Sequence, residues 1–317
     1  MHSQGKAYIA LIFICIVWGT TYLAIRVGVM QYPPFLFAGI RQFIAGIILG
    51  IAALSINKNK DLSRSNILRQ MLVGFLMLSI GNGFVTYGEK YVSSGLAALI
   101  CGMMPLFSVI INLVSSKKEH LNAAIVAGLL LGFCGVGLIF KNNIADLANK
   151  AYLGGICCVF VASFSWAVGS AINKKHKSPV NPIFNSALQL FFGGLFMLIA
   201  SPVLDGAYTF PLWQPQALMA LLYLITFGSV LAYAAYMYVF SALPVGIATI
   251  YAYINPLVAV ILGYLILKEP LTIYTAFSFI AIFAGVYLVN RGYKKQHSDK
   301  AKNIEDNALI VGVPIES

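Results

Sequence analysis

A soluble chain of 317 residues would carry about 25% charged residues, whereas this one has 10% charged, 60% hydrophobic and a mean hydropathy of +0.84. That composition excludes an ordinary soluble enzyme and predicts an integral membrane protein. The net charge of +11 does not indicate nucleic acid, because the basic residues lie between apolar runs rather than on one reading face.

In chain order, ten apolar runs are predicted as spans, at 7–29, 34–56, 67–88, 92–114, 121–140, 152–173, 181–203, 215–240, 244–267 and 271–290. Each approaches or exceeds the roughly 20 residues that a helix needs to cross a hydrocarbon core. Strands would read as short alternating segments, so the fold class is an all-α polytopic membrane protein. The first run follows MHSQGK, is too long for a signal-peptide core and lacks a clear cleavage pattern. It is therefore read as a retained span.

The connectors set the expected orientation. With a cytoplasmic N-terminus, fifteen lysines and arginines fall inside, among them Lys58, Lys60, Arg64, Arg69 and the cluster from Arg291 to Lys302. Only Lys90, Lys141, Lys150 and Lys268 fall outside. This bias predicts both termini in the cytoplasm; the membrane itself is expected to be a bacterial inner one. From Tyr293 the polar, charge-mixed tail is expected to be disordered.

The spans repeat. Trp18, Arg26 and Arg41 recur 148 residues later as Trp166, Lys174 and Gln189, and Gly95 and Pro105 recur 151 later as Gly246 and Pro256. Lys118, Glu119 and Leu121 recur at 150 as Lys268, Glu269 and Leu271. Five spans per copy is an odd number, so the second copy must be inverted. The expected units are 1–147, 148–292 and a tail, 293–317, and an inverted membrane repeat points to a transporter.

Catalytic chemistry finds little support. All four histidines, His2, His120, His176 and His297, lie in connectors or termini. No phosphate loop is present, and the five cysteines sit in apolar runs without metal-ligand spacing. No enzyme activity, metal or cofactor is expected; a membrane-embedded enzyme using Glu89 or His176, or a receptor-like interaction protein, is the alternative. Glu89 is the one acidic residue that touches a span, at an external end. Without a deep carboxylate, facilitated diffusion or exchange is favoured over proton coupling.

Polar faces suggest a cavity. Trp18, Thr21 and Tyr22 share a face of span 1; Ser79, Asn82 and Thr86 share one of span 3; Trp166 and Ser170 share one of span 6. Tyr233 and Tyr236 in span 8, and Tyr251 and Asn255 in span 9, form further stripes. These ten, Thr21 and Ser79 aside, are the candidate substrate-binding residues; against lipid they would be costly, so they line a cavity or an interhelix contact. Arg26 is close enough to its span end to snorkel to the headgroups. Arg41 is deeper, and is read either as a hydrogen-bonding anchor or as part of substrate access. Glu89 is placed with it in gating or access. Pro105 and Pro256, midway along spans 4 and 9, free the carbonyls of Cys101 and Ala252 and are expected to interrupt their helices beside the site. Gly46 with Gly50, and Gly128 with Gly132, Gly135 and Gly137, favour close helix packing within the chain over a dimer face.

Several of these segments resemble a known family. WGTTYLAIRVGV, PPFLFAGIRQF, YVSSGLAALICGMMPLF, the KKEHL turn and GFCGVGLIF are similar to an EamA-type repeat of the drug/metabolite transporter superfamily. A second copy runs from SFSWAVGSAI through PVGIATIYAYINPLVAVILGYLILKEPLT to FAGVYLV, so the resemblance covers about 7–290. It implies a ten-helix inverted-repeat carrier that moves small metabolites, often outward, through a central cavity bordered by both halves. The expected partners are a small-molecule substrate and the lipid bilayer, with no nucleic acid, in a monomer or weak homodimer. The apolar midplane argues for an amphipathic substrate, such as an amino acid or related metabolite, over a strongly charged one.

Overall fold

The computed structural model describes residues 2–56, 61–115, 122–140, 148–175, 182–206, 214–243 and 251–311. Among the described residues, eight helices are long and apolar enough to cross a membrane, and two shorter apolar helices, Ala123–Leu138 and Tyr251–Leu267, correspond to spans 5 and 9. The protein is a multi-pass membrane protein, and its described residues form helices without strands. Spans 1, 2, 6 and 7 are His2–Val29, Pro34–Ile56, Lys150–Lys175 and Pro182–Leu204. Two of these begin on proline, whose missing N–H would be unpaired in a first turn anyway.

Spans 3 and 8 are composite. Span 3 runs Arg64–Gly74, a π-helical Phe75–Asn82, then Gly83–Gly88. Span 8 runs Pro215–Tyr223, a π-helical Leu224–Leu231, then Ala232–Ala242. The wide π turns offer backbone carbonyls to neighbours. Leu76 O accepts from Ser165 Oγ at 2.8 Å, and Gly228 O accepts from Trp18 Nε1 at 3.2 Å.

Span 4 is broken as expected, into Ser94–Cys101 and Met104–Ser115, with Gly102 and Met103 in a turn. Pro105 lies in the first turn of the second piece. Span 9, by contrast, passes through Pro256 as one helix, Tyr251–Leu267. The reason is local: in span 4 a weak helix former, Gly102, stands three residues before the proline, whereas Tyr253 stands there in span 9. Span 10 also differs from expectation, since its helix runs Ile273–Val311 and carries the backbone of the tail with it. A polar composition forbids a packed core, but a helix already nucleated by span 10 elongates at little cost.

Span 2 packs on span 7 and span 5 on span 10, while span 1 lies against spans 8 and 9 and span 6 against spans 3 and 4. Adding or subtracting five exchanges these pairings. The 2–7 crossing is backbone on backbone: a side chain on Gly46 would stand 2.4 Å from the Phe191 nitrogen, and one on Gly194 would stand 2.3 Å from the Phe43 nitrogen. Gly128, Gly132 and Gly135 are similarly closed in, Gly128 and Gly135 by span 10 and Gly132 by Leu106, whereas Gly137 faces open space.

Carboxylates from the opposite half cap two of these helices. Asp205 accepts from the Phe35 and Leu36 amides at 3.1 and 2.9 Å, and from Ser201 Oγ at 2.8 Å. It thus supplies acceptors for the unpaired first-turn donors of span 2. Asp205→Ala is expected to cost about 1 kcal/mol, the usual worth of an N-terminal cap, read as a lowered melting temperature in detergent. Glu269 does the same for span 4, taking Ser94 N at 2.8 Å, Ser94 Oγ at 2.9 Å and Gly95 N at 3.2 Å. Lys268 adopts φ 57°, turning the chain so that the Glu269 amide donates to Gly263 O at 3.0 Å. Glu119, the repeat counterpart of Glu269, lies outside the described residues.

Candidate substrate site between the two halves

Trp18, Tyr22 and Arg26 recur every four residues along span 1 and form one stripe. At its inner end Trp18 is held by the hydrogen bond to the π-helical Gly228 carbonyl. Its ring meets Tyr236 at 5.3 Å and Tyr251 edge-on at 5.0 Å, and Tyr236 meets both Tyr251 and Tyr233, at 5.9 and 5.8 Å. Four of the expected residues, from spans 1, 8 and 9, therefore form one aromatic cluster. Offset and edge-on rings at such distances attract one another beyond simple burial. Asn255 closes the cluster: its side-chain amide faces the carbonyls of Cys15 and Tyr251, and with the amide assigned so that its nitrogen donates it meets each at 2.9 Å. The side chain thereby ties span 9 to span 1 as well as satisfying its own helix.

The first-half residues are placed differently. Trp166 is partly buried against Met77, Leu78 and Leu190, a cluster that Tyr233 also touches, and its ring covers Gly81. Asn82, the last residue of the π segment, has a buried Oδ1 with no hydrogen-bond partner. Thr86 spends its hydroxyl on the Asn82 carbonyl at 2.8 Å, and Ser170 faces Met77 Sδ at 4.0 Å. Ser79 bonds Gly193 O at 2.9 Å, joining span 3 to span 7. Of the polar face expected on span 3, Ser79 and Thr86 donate to backbone carbonyls, while Asn82 Oδ1 is left without a partner. Pro105 stands at the break in span 4, and Pro256 contacts the other side of that break, with its Cγ 3.3 Å from where a side chain on Gly102 would stand.

At the outer end of the stripe, Arg26 turns inward and donates to the backbone carbonyl of Glu89 instead of snorkelling. A free carbonyl at the end of span 3 within its reach explains the difference. Glu89 is fully buried rather than superficial, and neither of its carboxylate oxygens has a hydrogen-bond partner. Arg41, 5% exposed, donates from Nε to Ser229 Oγ at 3.1 Å, while its Nη1 has no partner. Tyr22 sits between the two ends, beside Cys101 and within electrostatic reach of Glu89 and Tyr251.

The chain matches a known family along almost its whole length. The EamA-like transporter family aligns with residues 5–141 and again with 153–291. This chain belongs to the EamA-like transporter family. As such a transporter it is 35% identical over 256 residues, 80% of each chain, to the protein named uncharacterized inner membrane transporter YedA from Escherichia coli (strain K12). It is also 27% identical to the uncharacterized transporter YoaV of Bacillus subtilis (strain 168), over 89% of this chain and 96% of that one. A solved crystal structure of a protein at 16% identity shares the fold, with a TM-score of 0.61 and coverage of 92% and 98%.

Two features of the transporter went unread in its sequence. Gln189, the counterpart of Arg41, is buried and donates to Gln70 Oε1 at 2.7 Å; Gln70 in turn donates to Asn66, and Asn66 to Asn185, at 3.0 and 3.1 Å. This neutral amide chain joins span 3 to span 7, whereas the counterpart Arg41 of span 2 bonds Ser229 of span 8. The π segments carry no composition cue, although they begin 149 residues apart, close to the repeat spacing.

Proposed function

We propose that this EamA-like transporter is a secondary carrier that exports a small amphipathic metabolite, an amino acid or related compound, from the bacterial cytoplasm by alternating access. In this reading, 1–147 and 148–292 are inverted five-helix repeats, both termini are cytoplasmic, and the halves rock about a midplane site. The observation that carries it is the aromatic cluster of Trp18, Tyr236 and Tyr251, built by one span of the first half and two of the second. A surface shared between moving halves can be exposed to either side in turn. Further support comes from the exchangeable span pairings, the reciprocal Gly46 and Gly194 crossing and the recurring π segments.

Vesicles holding the purified protein and loaded with a bacterial metabolite extract would release the substrate, identified by mass spectrometry. Trp18→Ala is expected to slow that release about tenfold, equivalent to about 1.4 kcal/mol, while the protein stays monodisperse. Release at the unaltered rate from folded Trp18→Ala would remove this site from the transport path.

A further inference from the structure

Where span 4 begins, span 9 ends and span 10 begins, the three helices enclose a cavity of about 80 Å³. That is several times the space that one water needs. Its buried wall includes Leu96 and Leu99, and its outer side carries Tyr264 and Leu271, both half-exposed. Tyr264 stands three residues before the end of span 9, so the cavity opens near the depth of the lipid headgroups, where tyrosine rings gather.

The polar lining has capacity that the protein leaves unused. A carboxylate offers about four lone-pair sites. Glu269 spends one on Oε1 for the Ser94 amide and two on Oε2 for the Ser94 hydroxyl and the Gly95 amide, so Oε1 can take one more donor. Among the described residues, no lysine or arginine pairs with this carboxylate. Thr272 and Thr275 line the same cavity, bonded to each other, and the fully buried Ser278 hydroxyl, three residues on, has no partner. Side chains three apart share a helix face, so Ser278 continues the polar strip that Thr275 begins. A carboxylate placed this way is best served by a cation that carries N–H donors.

The neighbouring side chains narrow the choice of cation. Lys268 precedes Glu269 and is exposed, so charges of both signs stand together at headgroup level and suit a zwitterionic headgroup. Leu265 and Ile266, beside Tyr264, are exposed as well, so acyl chains can stay in the hydrocarbon while the headgroup enters the cavity. We infer that this cavity binds phosphatidylethanolamine, with the lipid ammonium on Glu269 Oε1 and its phosphate beside Lys268. The assignment is independent of what the carrier moves.

Native mass spectrometry of the full chain in detergent, titrated with single phospholipids of matched acyl chains, tests it. The unaltered protein should bind phosphatidylethanolamine at least tenfold more tightly than phosphatidylglycerol, which lacks the ammonium, and phosphatidylcholine, whose trimethylated nitrogen has no N–H to donate. Glu269→Gln should erase that preference. Lys268→Gly, which suits the left-handed backbone there, should weaken all three lipids together and keep the preference. Damage to the span 4 cap alone would lower the three affinities alike in Glu269→Gln and leave their ratios unmoved. Should that variant fail to fold, the headgroup series on the unaltered protein and Lys268→Gly still decides. Equal binding of the three lipids by the unaltered protein, unmoved ratios in folded Glu269→Gln, or displacement of the lipid by millimolar free ethanolamine, which would make a soluble amine the occupant, would overturn the assignment.

Discussion

Gly46→Ala is expected to destabilise the protein by about 3 kcal/mol, and Gly194→Ala by a similar amount. Overpacking usually costs about 1–3 kcal/mol because neighbouring side chains can turn aside. At this crossing the obstacles are the backbone nitrogens of Phe191 and Phe43, which move only if a whole helix moves. Gly50→Ala is the control, since its added methyl would meet only the Ala187 Cβ at 3.9 Å. Helix propensity alone favours alanine over glycine by about 1 kcal/mol, so Gly50→Ala should melt at or slightly above the unaltered protein. Thermal unfolding in detergent, followed by loss of the monodisperse peak, separates these outcomes. Gly46→Ala and Gly50→Ala melting within about 2 °C of each other would mean that spans 2 and 7 do not cross here.

Glu269→Ala should cost about 3 kcal/mol, more than Asp205→Ala, because all three of its bonds hold span 4 whereas Asp205 spends one on Ser201 of its own helix. The Glu269 carboxylate takes two backbone amides and one hydroxyl from the start of span 4, and bonds to charged acceptors are worth roughly twice neutral ones. It also sits at the positive end of that helix, where a negative charge is favoured. Partial exposure limits the gain, which keeps the figure well below the sum of three charged bonds. Glu269→Gln keeps an acceptor but loses the charge, and should fall between alanine and the unaltered side chain. An order of stability in which Gln equals Ala would show that the charge, rather than the geometry, does the capping.

Much of the fold was legible because bilayer thickness fixes how long an apolar run must be. Spans 2 and 7 begin on Pro34 and Pro182, and the runs from 34 and 181 were read within a residue of that. The break in span 4 was legible in Pro105, but the continuity of span 9 through Pro256 was not, since it depends on what stands three residues earlier. The aromatic cluster was half legible: helical spacing put Trp18 and Tyr22 on one face, yet spacing within a helix cannot say which other helix meets it. Arg26 shows the same limit. Its distance from the span end allowed snorkelling, and only the placement of the Glu89 carbonyl decided against it. The buried amide chain through Gln70 and Gln189 joins residues 119 apart, and nothing in either local sequence announces the other.

The cap on span 4 also has a consequence in time. Glu269 follows the amide it serves, Ser94, by 175 residues. At translation rates of about 5–20 residues per second, roughly 9–35 s separate the emergence of the helix start from that of its acceptor. Throughout that interval the start of the fourth helix has only the local cap of Ser93 Oγ on the Leu96 amide at 3.2 Å, and the Ser94 and Gly95 amides lack their carboxylate until the ninth helix has followed.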